Sequence, residues 1–473
     1  MLPLPERISV QDYITRHAGL LSGTELNGCS GGAMLTIQKQ MRVKTVPALM
    51  AGAMKTVVSM MLASQLATVA WADNLSYGPA ESVGMSSERL ERIAPVLQQY
   101  VDSGELVGVV SMIARRGQIV HFDEYGVLDR DTGAPVAKDS IFRIYSMTKP
   151  VTSLAIMMLY EEGKLQLTDP VERHLPAFRN VRVAGPGGAL VAPERPMTVQ
   201  MLLTHTAGLT YGVFGDTLVD RQYRDIGVMT SPDNTTFIER LGQIPLQYQP
   251  GTRFHYSVAT DVLGALVEAV SGQTLGEFFE ERIFAPLQMV DTSFQVPREK
   301  LARFGTNHTF NPQTNQLEVS DRPASSNFVN RQTFESGGGG LLSTAEDYMR
   351  FSQMLLNGGE LDGVRIIGNK TLEYMTRNHL GGIFGDGGVH APDSLGTMAK
   401  GTGFGLGFAV VEDQTAVGGI GSDGEYYWGG AAGTIFWIDP EEDLAGIVMI
   451  QHMNVRLPLR ATFKALTYGA IID

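Results

Sequence analysis

Ser146 and Lys149 are the residues whose types and spacing most directly suggest chemistry in this sequence. A serine hydroxyl is a weak nucleophile until a neighbouring group takes its proton. Residues three positions apart share a face of an α-helix, so a helical Lys149 would stand over Ser146. A lysine that is buried near a second cation or a phenol can lose its proton near neutral pH, because burial disfavours the charged form. The pair therefore indicates a serine nucleophile with a lysine as its base.

The Ser-x-x-Lys spacing by itself is also compatible with no chemistry at all. It occurs by chance in most long chains, and the alternative interpretation is an N-cap serine followed by a surface lysine. In favour of function, a serine at a helix N-terminus lies near outward-pointing backbone N–H groups, which suit a developing oxyanion. The choice between the two interpretations depends on the elements around the motif.

A helix is predicted from Met147 to Glu162, where Met, Leu, Ile and Ala predominate. Pro150 falls in its first turn, where a missing N–H costs little, and Gly163 is suited to end it. Residues 141–145 lead from a turn-rich stretch into Ser146. The serine is therefore expected at the N-terminus of a long apolar helix.

Strand patterns flank a mainly helical middle of the chain. The runs Gly108–Arg115 and Gln118–Tyr125, separated by Arg116-Gly117, predict a hairpin. Further strands are predicted at 406–413, 416–421, 433–438 and 444–451. Further helices are predicted at 87–102, 197–204, 259–271, 343–357 and around 457–471. This order favours an α+β fold, with an antiparallel sheet built from both ends of the chain and flanked by helices.

The same order predicts the domain boundaries. Residues 73–150 and 335–473 are expected to form an α/β domain around the antiparallel sheet, and residues 151–334 a mainly helical domain. At 473 residues, the chain is long enough for two packed regions. The loops at 211–233 and 381–402 are expected to wall the pocket.

The composition is that of an ordinary globular protein, with 43% apolar and 18% charged residues. The formal net charge of −13 argues against a nucleic-acid partner, because such a surface would not neutralise phosphates. Cys29 is the only cysteine of the sequence, and neither paired histidines nor an H-E-x-x-H motif occurs. No metal site and no cofactor are therefore predicted.

Residues 54–72 have the layout of a secretory signal peptide. Lys55 provides a positive start, residues 56–70 are apolar, and Ala70-Trp71-Ala72 is a small-x-small cleavage pattern. The alternatives are a buried helix or a membrane anchor, although the run is short for a span of about 20 residues. Cleavage after Ala72 would make residues 1–72 an upstream extension and signal. The protein would then be secreted or periplasmic, without a stable membrane span.

Five stretches in a fixed order carry a resemblance to a known family. They are FRIYSMTKPVTSLAIMMLYEEGKLQLTDPV (142–171), MLLTHTAGL (201–209), PGTRFHYS (250–257), GGGGLLSTAEDYMRFSQMLLNGG (337–359) and YYWGGAAGTIFWIDPEE (426–442). The sequence resembles the serine β-lactamase and penicillin-binding-protein superfamily, in particular the family VIII carboxylesterases related to class C β-lactamases. The resemblance spans residues 80–470 and implies a β-lactamase-like fold with the active site between the two domains.

The resemblance also implies a role for each matching residue. Ser146 would be the acylated nucleophile, Lys149 its partner base, and Tyr256 a second group that shuttles the proton. Without the resemblance, Tyr256 would be interpreted as a core tyrosine. The backbone N–H groups of Ser146 and Ala431 would form the oxyanion hole. The substrate-binding residues would be Tyr145, Trp428, Gly429 and Gly430.

Two departures from the superfamily pattern bear on the substrate. Val258 replaces the asparagine of Tyr-x-Asn and removes an amide that could bind an acylamido side chain. Trp428-Gly429-Gly430 replaces Lys-Thr-Gly and exchanges a cation for an indole, which favours uncharged esters over carboxylate-bearing lactams. The implied function is hydrolysis of small to medium acyl esters through a Ser146 acyl-enzyme. The alternatives in the same fold are a class C-like β-lactamase, a D-Ala-D-Ala peptidase or a transacylase.

Three other candidate sites are weaker. The stretch Gly28-Cys29-Ser30-Gly31-Gly32 matches Gly-x-Ser-x-Gly but lacks the strand and helix that a nucleophile elbow needs. His205 has no identifiable carboxylate partner, so a core histidine is favoured over a triad member. His255 adjoins Tyr256 and could tune its titration. A non-catalytic penicillin-recognition module would be expected to have lost the serine, the lysine or the tyrosine.

Overall fold

Residues 75–330, 334–381 and 400–473 are described by the computed structural model of the chain. The predicted signal peptide at 54–72, the Gly-x-Ser-x-Gly stretch and most of the 381–402 loop lie outside the described residues. The described residues belong to one compact unit, and the predicted division at residues 150 and 334 stays a prediction.

Short strands and longer helices alternate along the described chain. The strands are β1 (Ser76–Tyr77), β2 (Gly108–Arg115), β3 (Gln118–Gly126), β4 (Phe142–Arg143), β5 (Val183–Ala184), β6 (Leu190–Val191), β7 (Asn307–Asn311), β8 (Gln316–Asp321), β9 (Leu342–Ser343), β10 (Glu360–Leu361), β11 (Val364–Arg365), β12 (Thr402–Phe404), β13 (Ala409–Val411), β14 (Tyr426–Gly429), β15 (Ile435–Asp439), β16 (Leu444–Met449) and β17 (His452–Met453). The α-helices are α1 (Ser87–Leu90), α2 (Ile93–Asp102), α3 (Thr148–Glu161), α4 (Val199–Leu203), α5 (Leu218–Ile226), α6 (Asn234–Leu241), α7 (Ala259–Ser271), α8 (Leu275–Phe279), α9 (Asn327–Asn330), α10 (Ala345–Leu356), α11 (Asn369–Met375), α12 (Gln414–Val417) and α13 (Leu459–Tyr468). In the described ranges, no helix combines the length and apolar character needed to cross a bilayer.

The central sheet has eight strands in the order β1-β3-β2-β16-β15-β14-β13-β12. The N-terminal hairpin β2–β3 pairs with the C-terminal strands through β16, so both ends of the chain build one sheet, as predicted. Neighbouring strands run antiparallel except β1, which pairs with β3 in parallel. The expectation of a purely antiparallel sheet is therefore wrong at this edge. The chain between β1 and β3 contains α1, α2 and β2, which is enough for the crossover that parallel pairing requires.

Side-chain alternation along β15 shows how helices cover both faces of the sheet. Successive side chains of a strand point to opposite faces. Phe436 meets Tyr348 of α10, with ring centroids 5.0 Å apart. Its neighbour Trp437 meets Phe463 of α13 at 5.6 Å. All four rings are buried, so the sheet lies between two helical layers and shares one apolar core with each.

Helix α3 is surrounded by protein on all sides. Every side chain from Thr148 to Leu159 is buried, the pattern of a helix inside a core, and it packs against α7. At its C-terminus, the N–H of Gly163 donates to Tyr160 (2.9 Å) and the N–H of Lys164 donates to Leu159 (3.0 Å). These two bonds form a Schellman motif, with Gly163 in the left-handed region. The predicted helix and its terminal glycine are confirmed.

Two strand predictions near the C-terminus are wrong. Residues 416–421 do not form a strand, because the carboxylate of Asp413 accepts a backbone N–H (3.0 Å) and starts the short helix α12. Gly418 then ends this helix in the left-handed conformation. The strand predicted at 406–413 is wrong in its bounds. Residues 406–408 form a turn, in which Gly407 has φ 96°, and only Ala409–Val411 form a strand, β13, which pairs with β12.

Candidate active site

A buried arginine fixes the strand that precedes Ser146. The guanidinium of Arg143 pairs with Asp321 (2.6 Å) and donates to Gln451 Oε1 (3.0 Å). These contacts attach β4 to the end of β8 and to the chain after β16. The backbone then turns at Tyr145, whose φ of 40° is uncommon for a residue other than glycine. The turn brings Ser146 to the N-terminal end of α3.

Three side chains meet at the hydroxyl of Ser146. The hydroxyl of Tyr256 lies 2.8 Å from Ser146 Oγ, and Lys149 Nζ lies 3.2 Å from the same oxygen. All three residues are buried, and Ser146 is the most accessible of them at 8% exposure. The structure thus brings together the predicted nucleophile and both predicted proton-transfer residues, although 110 residues separate Ser146 from Tyr256.

The Lys149 ammonium has three hydrogen-bond acceptors. Besides Ser146 Oγ, it donates to the hydroxyl of Tyr211 (2.9 Å) and to the carbonyl of Gly338 (2.6 Å). An ammonium has three donors, so these contacts use all of them. The nitrogen also lies 4.7 Å from the centroid of the Tyr256 ring, within the range of a cation–π contact. Neutral groups therefore aim Lys149 at the serine.

Sequence reasoning missed the residues that hold this arrangement in place. Asp261, in the first turn of α7, accepts the N–H of Gly338 (3.1 Å) and the hydroxyl of Ser336. A Cβ on Gly338 would clash with the Asp261 carboxylate, so the loop approaches α7 this closely only as glycine. Burial raises the pKa of Asp261, and the charge of Lys149 opposes this rise. The available signals were an acid in an apolar helix and the glycine run 337–340.

An aromatic cluster encloses the ring of Tyr256. The rings of His205, Tyr211 and Trp428 lie at centroid distances of 4.8, 5.4 and 5.5 Å. Such packing fixes the phenol ring, so its hydroxyl keeps one direction toward Ser146. Burial raises the pKa of Tyr211 well above its usual value, so Tyr211 remains a neutral phenol.

The two candidate histidines lie behind Tyr256. His205 is buried, and its Nδ1 lies 3.4 Å from Ser257 Oγ. Burial, together with the charge of Lys149, lowers the pKa of His205 well below its usual value and keeps the ring neutral. His255 Nε2 lies 3.4 Å from Thr210 Oγ1. Within the described chain, neither imidazole hydrogen-bonds to the serine hydroxyl, which agrees with a core role for His205.

Trp428 occupies one side of the aromatic cluster. Its indole lies between the rings of Tyr256 and Phe404, at 5.5 and 5.4 Å, and is 4% exposed. The indole Nε1 has no hydrogen-bond acceptor among the residues that the structure describes, and the Trp428 carbonyl accepts from Arg460 (2.8 Å). Trp428 therefore presents apolar surface beside Tyr256, where the superfamily pattern has a cation.

The turn between β14 and β15 packs on the backbone next to Ser146. A Cβ on Gly430 would clash with the carbonyl oxygen of Ile144, so glycine permits this close approach. The N–H of Gly430 donates to the carbonyl of Thr434 (2.7 Å). The next N–H, that of Ala431, has no backbone acceptor in the described ranges. This donor is therefore available to a ligand beside the nucleophile turn.

Tyr145 and Gly429, also expected to bind substrate, are both half-buried. The Tyr145 hydroxyl accepts from Asn307 Nδ2 (3.3 Å), and its ring meets Phe328 edge-on at 6.2 Å. Burial raises the pKa of Tyr145. Gly429 is the last residue of β14 and pairs with Ile435 of β15. Tyr145 directly precedes Ser146 in the sequence, and Gly429 lies two residues before Ala431.

Apolar side chains are exposed next to the aromatic cluster. Phe214 is 41% exposed, and its ring lies 5.6 Å from Tyr211 and 6.5 Å from Tyr256. Val213 and Leu218 are exposed as well. The start of the 211–233 loop therefore lies beside the candidate site. In water, such a surface favours contact with an apolar part of a ligand.

Comparison with known proteins identifies the family of this chain. The sequence profile of the family described as Beta-lactamase matches residues 93–468. The chain belongs to the beta-lactamase family. Its fold is that of β-lactamases and penicillin-binding proteins, with a mixed sheet and helices, and it is a serine hydrolase of this fold.

Two proteins with similar sequences and one solved structure with a similar fold indicate which members of the family this chain resembles. Protein Rv1367c of Mycobacterium tuberculosis (strain ATCC 25618 / H37Rv) is 36% identical over 365 residues, which cover 75% of this chain and 88% of that protein. Esterase EstB of Burkholderia gladioli is 32% identical over 401 residues, which cover 80% of this chain and 95% of that esterase. The structure titled "EstCE1, a hydrolase with promiscuous acyltransferase activity" has a TM-score of 0.69 at 27% identity and covers 82% of this chain and 99% of that one. These similarities confirm the resemblance to esterases of the β-lactamase superfamily.

Proposed function

We propose that the protein is a family VIII serine carboxylesterase that hydrolyses small to medium acyl esters through an acyl-enzyme on Ser146. The observation that carries this proposal is the convergence of Tyr256 OH (2.8 Å) and Lys149 Nζ (3.2 Å) on one serine oxygen. A hydroxyl with two such neighbours can release its proton as it attacks a carbonyl carbon.

Acylation starts from the form in which the Lys149–Tyr256 pair lacks one proton, as a lysine amine or a tyrosine phenolate. Ser146 Oγ attacks the ester carbonyl carbon, and its single proton passes to that deprotonated member of the pair. Lys149 and Tyr256 contact the same serine oxygen, so we treat the base as the pair rather than as one member. The N–H groups of Ser146 and Ala431 stabilise the negative charge on the carbonyl oxygen, which is largest in the transition state. The tetrahedral intermediate then expels the alcohol, which receives the proton from the same pair.

Deacylation repeats the sequence with water as the nucleophile. Lys149 and Tyr256 take a proton from water as its oxygen attacks the acyl carbon on Ser146. Collapse of the second intermediate breaks the acyl–oxygen bond, and the proton returns to Ser146 Oγ. The products are the free carboxylic acid and the unmodified enzyme. Tyr211 and the Gly338 carbonyl accept two N–H groups of Lys149 and hold its nitrogen beside Ser146 Oγ during both steps.

The apolar character of the site supports an uncharged ester as substrate. Trp428 lies where the superfamily pattern has a cation for a substrate carboxylate, and Val258 has no amide for an acylamido group. Phe214 adds exposed apolar surface beside Tyr256. The class C-like β-lactamase and D-Ala-D-Ala peptidase alternatives would need the polar contacts that Trp428 and Val258 lack.

Acyl transfer to an alcohol is a second candidate function. An acyl group on Ser146 can be resolved by an alcohol in place of water, with the same proton transfers. The exposed aromatic surface at Phe214 favours an apolar alcohol over water at the entrance. The similar EstCE1 is described as a hydrolase with promiscuous acyltransferase activity, which supports this candidate.

We also propose that the protein is exported and cleaved after Ala72. The pattern of residues 54–72 supports this proposal. N-terminal sequencing of the protein recovered from the periplasm or the medium should begin at Asp73. Recovery of the uncleaved chain from the cytoplasm would contradict it.

Hydrolysis of p-nitrophenyl butyrate tests the esterase proposal. The purified protein should release p-nitrophenol, and Ser146→Ala should abolish this activity. Ser153→Ala is the matched control, because Ser153 is buried in the same helix and its hydroxyl has no hydrogen-bond partner in the described chain. Full activity in Ser146→Ala would contradict the proposal. Turnover of nitrocefin relative to the ester decides between esterase and β-lactamase, and ester formation with added butanol measures acyl transfer.

A further inference from the structure

A cavity of about 670 Å³ lies apart from the Ser146 site. It is bordered by the β7–β8 hairpin, by the residues around β17, and by the chain that follows α2. None of its lining residues contacts Ser146, Lys149 or Tyr256 in the described chain. The residues that matter most for its chemistry are Arg130, Phe310, Leu317, His452, Arg456 and Leu457.

Arg130 lines this cavity without an ion-pair partner in the described ranges. One of its N–H groups donates to the carbonyl of Gly104 (2.9 Å), which fixes the guanidinium at the cavity wall. The acids on either side of it, Asp129 and Asp131, pair instead with Arg322 at 3.5 and 2.5 Å. Because a guanidinium has five N–H donors, Arg130 keeps most of them for a ligand.

Arg456 is the second cation of the cavity. Its guanidinium lies 5.0 Å from the centroid of the Phe310 ring, so a cation–π contact holds it over the cavity. It forms no ion pair among the described residues. The one acid that lines the cavity, Glu105, accepts the hydroxyl of Ser103 (2.8 Å). The walls therefore carry two cations and one anion, and the cations have no partner within the wall.

His452 adds a buried imidazole to the same wall. It is 5% exposed, and both of its ring nitrogens are buried next to the backbone of Glu105. His308 is its register neighbour in the parallel pair β7–β17. The charged contacts to a ligand therefore fall to Arg130 and Arg456, which are exposed at the cavity.

Electrostatics select an anion over a metal ion as the ligand. No group of three His, Cys, Asp or Glu residues able to hold a metal occurs in the described ranges. Arg130 and Arg456 would also repel a cation. Burial, together with the charges of His308 and Arg130, lowers the pKa of His452 to about 4, and the Glu105 carbonyl opposes this effect in part. The ring is therefore neutral near pH 7 and adds no third positive charge to the wall.

We propose that this cavity binds a small organic anion, with its carboxylate or phosphate group between Arg130 and Arg456 and its apolar body against Phe310, Leu317 and Leu457. Guanidinium groups bind both kinds of anion through paired N–H donors. The net charge of −13 does not prevent binding, because charges beyond a Debye length of about 8 Å are largely screened at physiological salt.

Isothermal titration calorimetry with the full chain tests this proposal. The probes are inorganic phosphate, phenyl phosphate and phenylacetate; the last two share a phenyl ring and carry a phosphate and a carboxylate, respectively. Phenyl phosphate or phenylacetate should bind with Kd below about 1 mM, and the better probe identifies the anion class. Inorganic phosphate should bind more weakly, because it cannot use the apolar wall. Leu317→Ala should weaken the binding of phenyl phosphate and leave the binding of inorganic phosphate unchanged, because Leu317 lines the apolar wall and has no cation–π contact with Arg456.

The double variant Arg130→Gln/Arg456→Gln should raise the Kd at least about tenfold. Its matched control is Arg298→Gln/Arg377→Gln, which removes two exposed arginines outside the cavity and should bind normally. Ser146→Ala should bind as the native chain does and unfold at the same temperature. Loss of binding in Ser146→Ala would place the probes in the ester site and overturn the proposal. Equal affinities in the two arginine pairs, or no heat with any probe, would also overturn it.

Discussion

The Ser146 site and the cavity at Arg130 and Arg456 use their polar groups in opposite ways. At the serine, the protein itself takes up all three donors of Lys149, and the Tyr256 hydroxyl points at Ser146 Oγ. In the cavity, two guanidinium groups have no carboxylate partner within the described wall. The first arrangement positions groups that act on one oxygen. The second leaves two positive charges available to a negatively charged ligand.

Burial follows the same division. Lys149 and Tyr256 are buried under aromatic rings, so the proton-handling groups are shielded from bulk water. Arg130 and Arg456 are exposed, and only His452 is buried among the polar groups of the cavity. Changes at the serine site should therefore affect turnover by large factors. Changes in the cavity should affect ligand affinity and acid stability and leave turnover intact.

The largest effects are expected from Lys149→Ala and Tyr256→Phe. Each should lower kcat/KM for p-nitrophenyl butyrate by about 10³- to 10⁵-fold, because the proton of Ser146 then loses half of its accepting pair. The double variant should be little worse than either single one, since the two groups act as a unit. Phenyl phosphate binding, measured by calorimetry, should not change. A loss of kcat/KM below about tenfold in either variant would contradict the assignment of Lys149 and Tyr256 as the groups that accept the Ser146 proton.

Asp261→Asn should have a smaller effect on the same step. Asp261 positions the Gly338 carbonyl that accepts from Lys149, and a shift of that loop displaces the lysine nitrogen. We expect kcat to fall up to about 100-fold with KM nearly unchanged, because misplacement by about 1 Å costs this much. The pH profile of kcat should also move, since the buried acid influences the Lys149–Tyr256 pair.

Glu268→Gln provides the control for this variant. Glu268 lies on the same helix, is partly buried, and accepts from Asn234 (2.8 Å) away from the serine. Its kcat and pH profile should match those of the native protein. Equal losses of kcat in Asp261→Asn and Glu268→Gln would contradict a role of Asp261 in positioning Lys149 and would indicate that Asp261 only stabilises helix α7.

Phe214→Ala should change substrate preference by a modest factor. The exposed ring next to Tyr211 offers apolar surface to a longer acyl chain. We expect kcat/KM for p-nitrophenyl octanoate to fall about tenfold and that for the acetate to stay the same, as for the loss of one apolar contact in a pocket. Val290→Ala, at an exposed apolar residue outside the site, is the control. An equal loss for both esters would contradict this assignment.

The smallest effect is expected at the cavity, in the acid stability of His452→Asn. The pKa of His452 is about 4 in the folded state and about 6.5 in the unfolded state. Between these pH values, the unfolded chain binds a proton at this residue and the folded chain does not. The stabilising contribution is present above pH 6.5 and is lost as pH falls from 6.5 toward 4. Between pH 7 and 4.5, the free energy of unfolding measured in urea should fall by about 1–2 kcal/mol less in His452→Asn than in the native protein. An equal loss in both proteins would contradict a neutral buried ring.

The sequence was sufficient to predict that Ser146 and Lys149 lie together and to predict most elements of the fold. Ser146 and Lys149 were predictable because helical spacing alone brings them together, and α7 was predicted with its observed bounds at 259–271. Tyr256 required the family resemblance, because 110 residues separate it from the serine. A separation of 62 residues likewise explains why Tyr211 was missed as a partner of Lys149.

Some features depend on packing that no local pattern encodes. Gly338 meets Lys149 across 189 residues, so its carbonyl could not be assigned a role in advance. Trp428 was expected to contact substrate, which stays a prediction, whereas the packing of its indole against Tyr256 and Phe404 was not predictable from the sequence. The segment 416–421 looked like a strand from its apolar residues, whereas the cap at Asp413 starts a helix there.

The identity of the nucleophile is tested most directly by trapping it with a p-nitrophenyl phosphonate ester. The intact protein should gain the mass of one phosphonyl group as p-nitrophenol is released, with loss of esterase activity in the same proportion. Peptide mapping should place the modification on Ser146, and Ser146→Ala should gain no mass. Inactivation with the label on a different residue, or labelling of Ser146→Ala, would contradict the central claim.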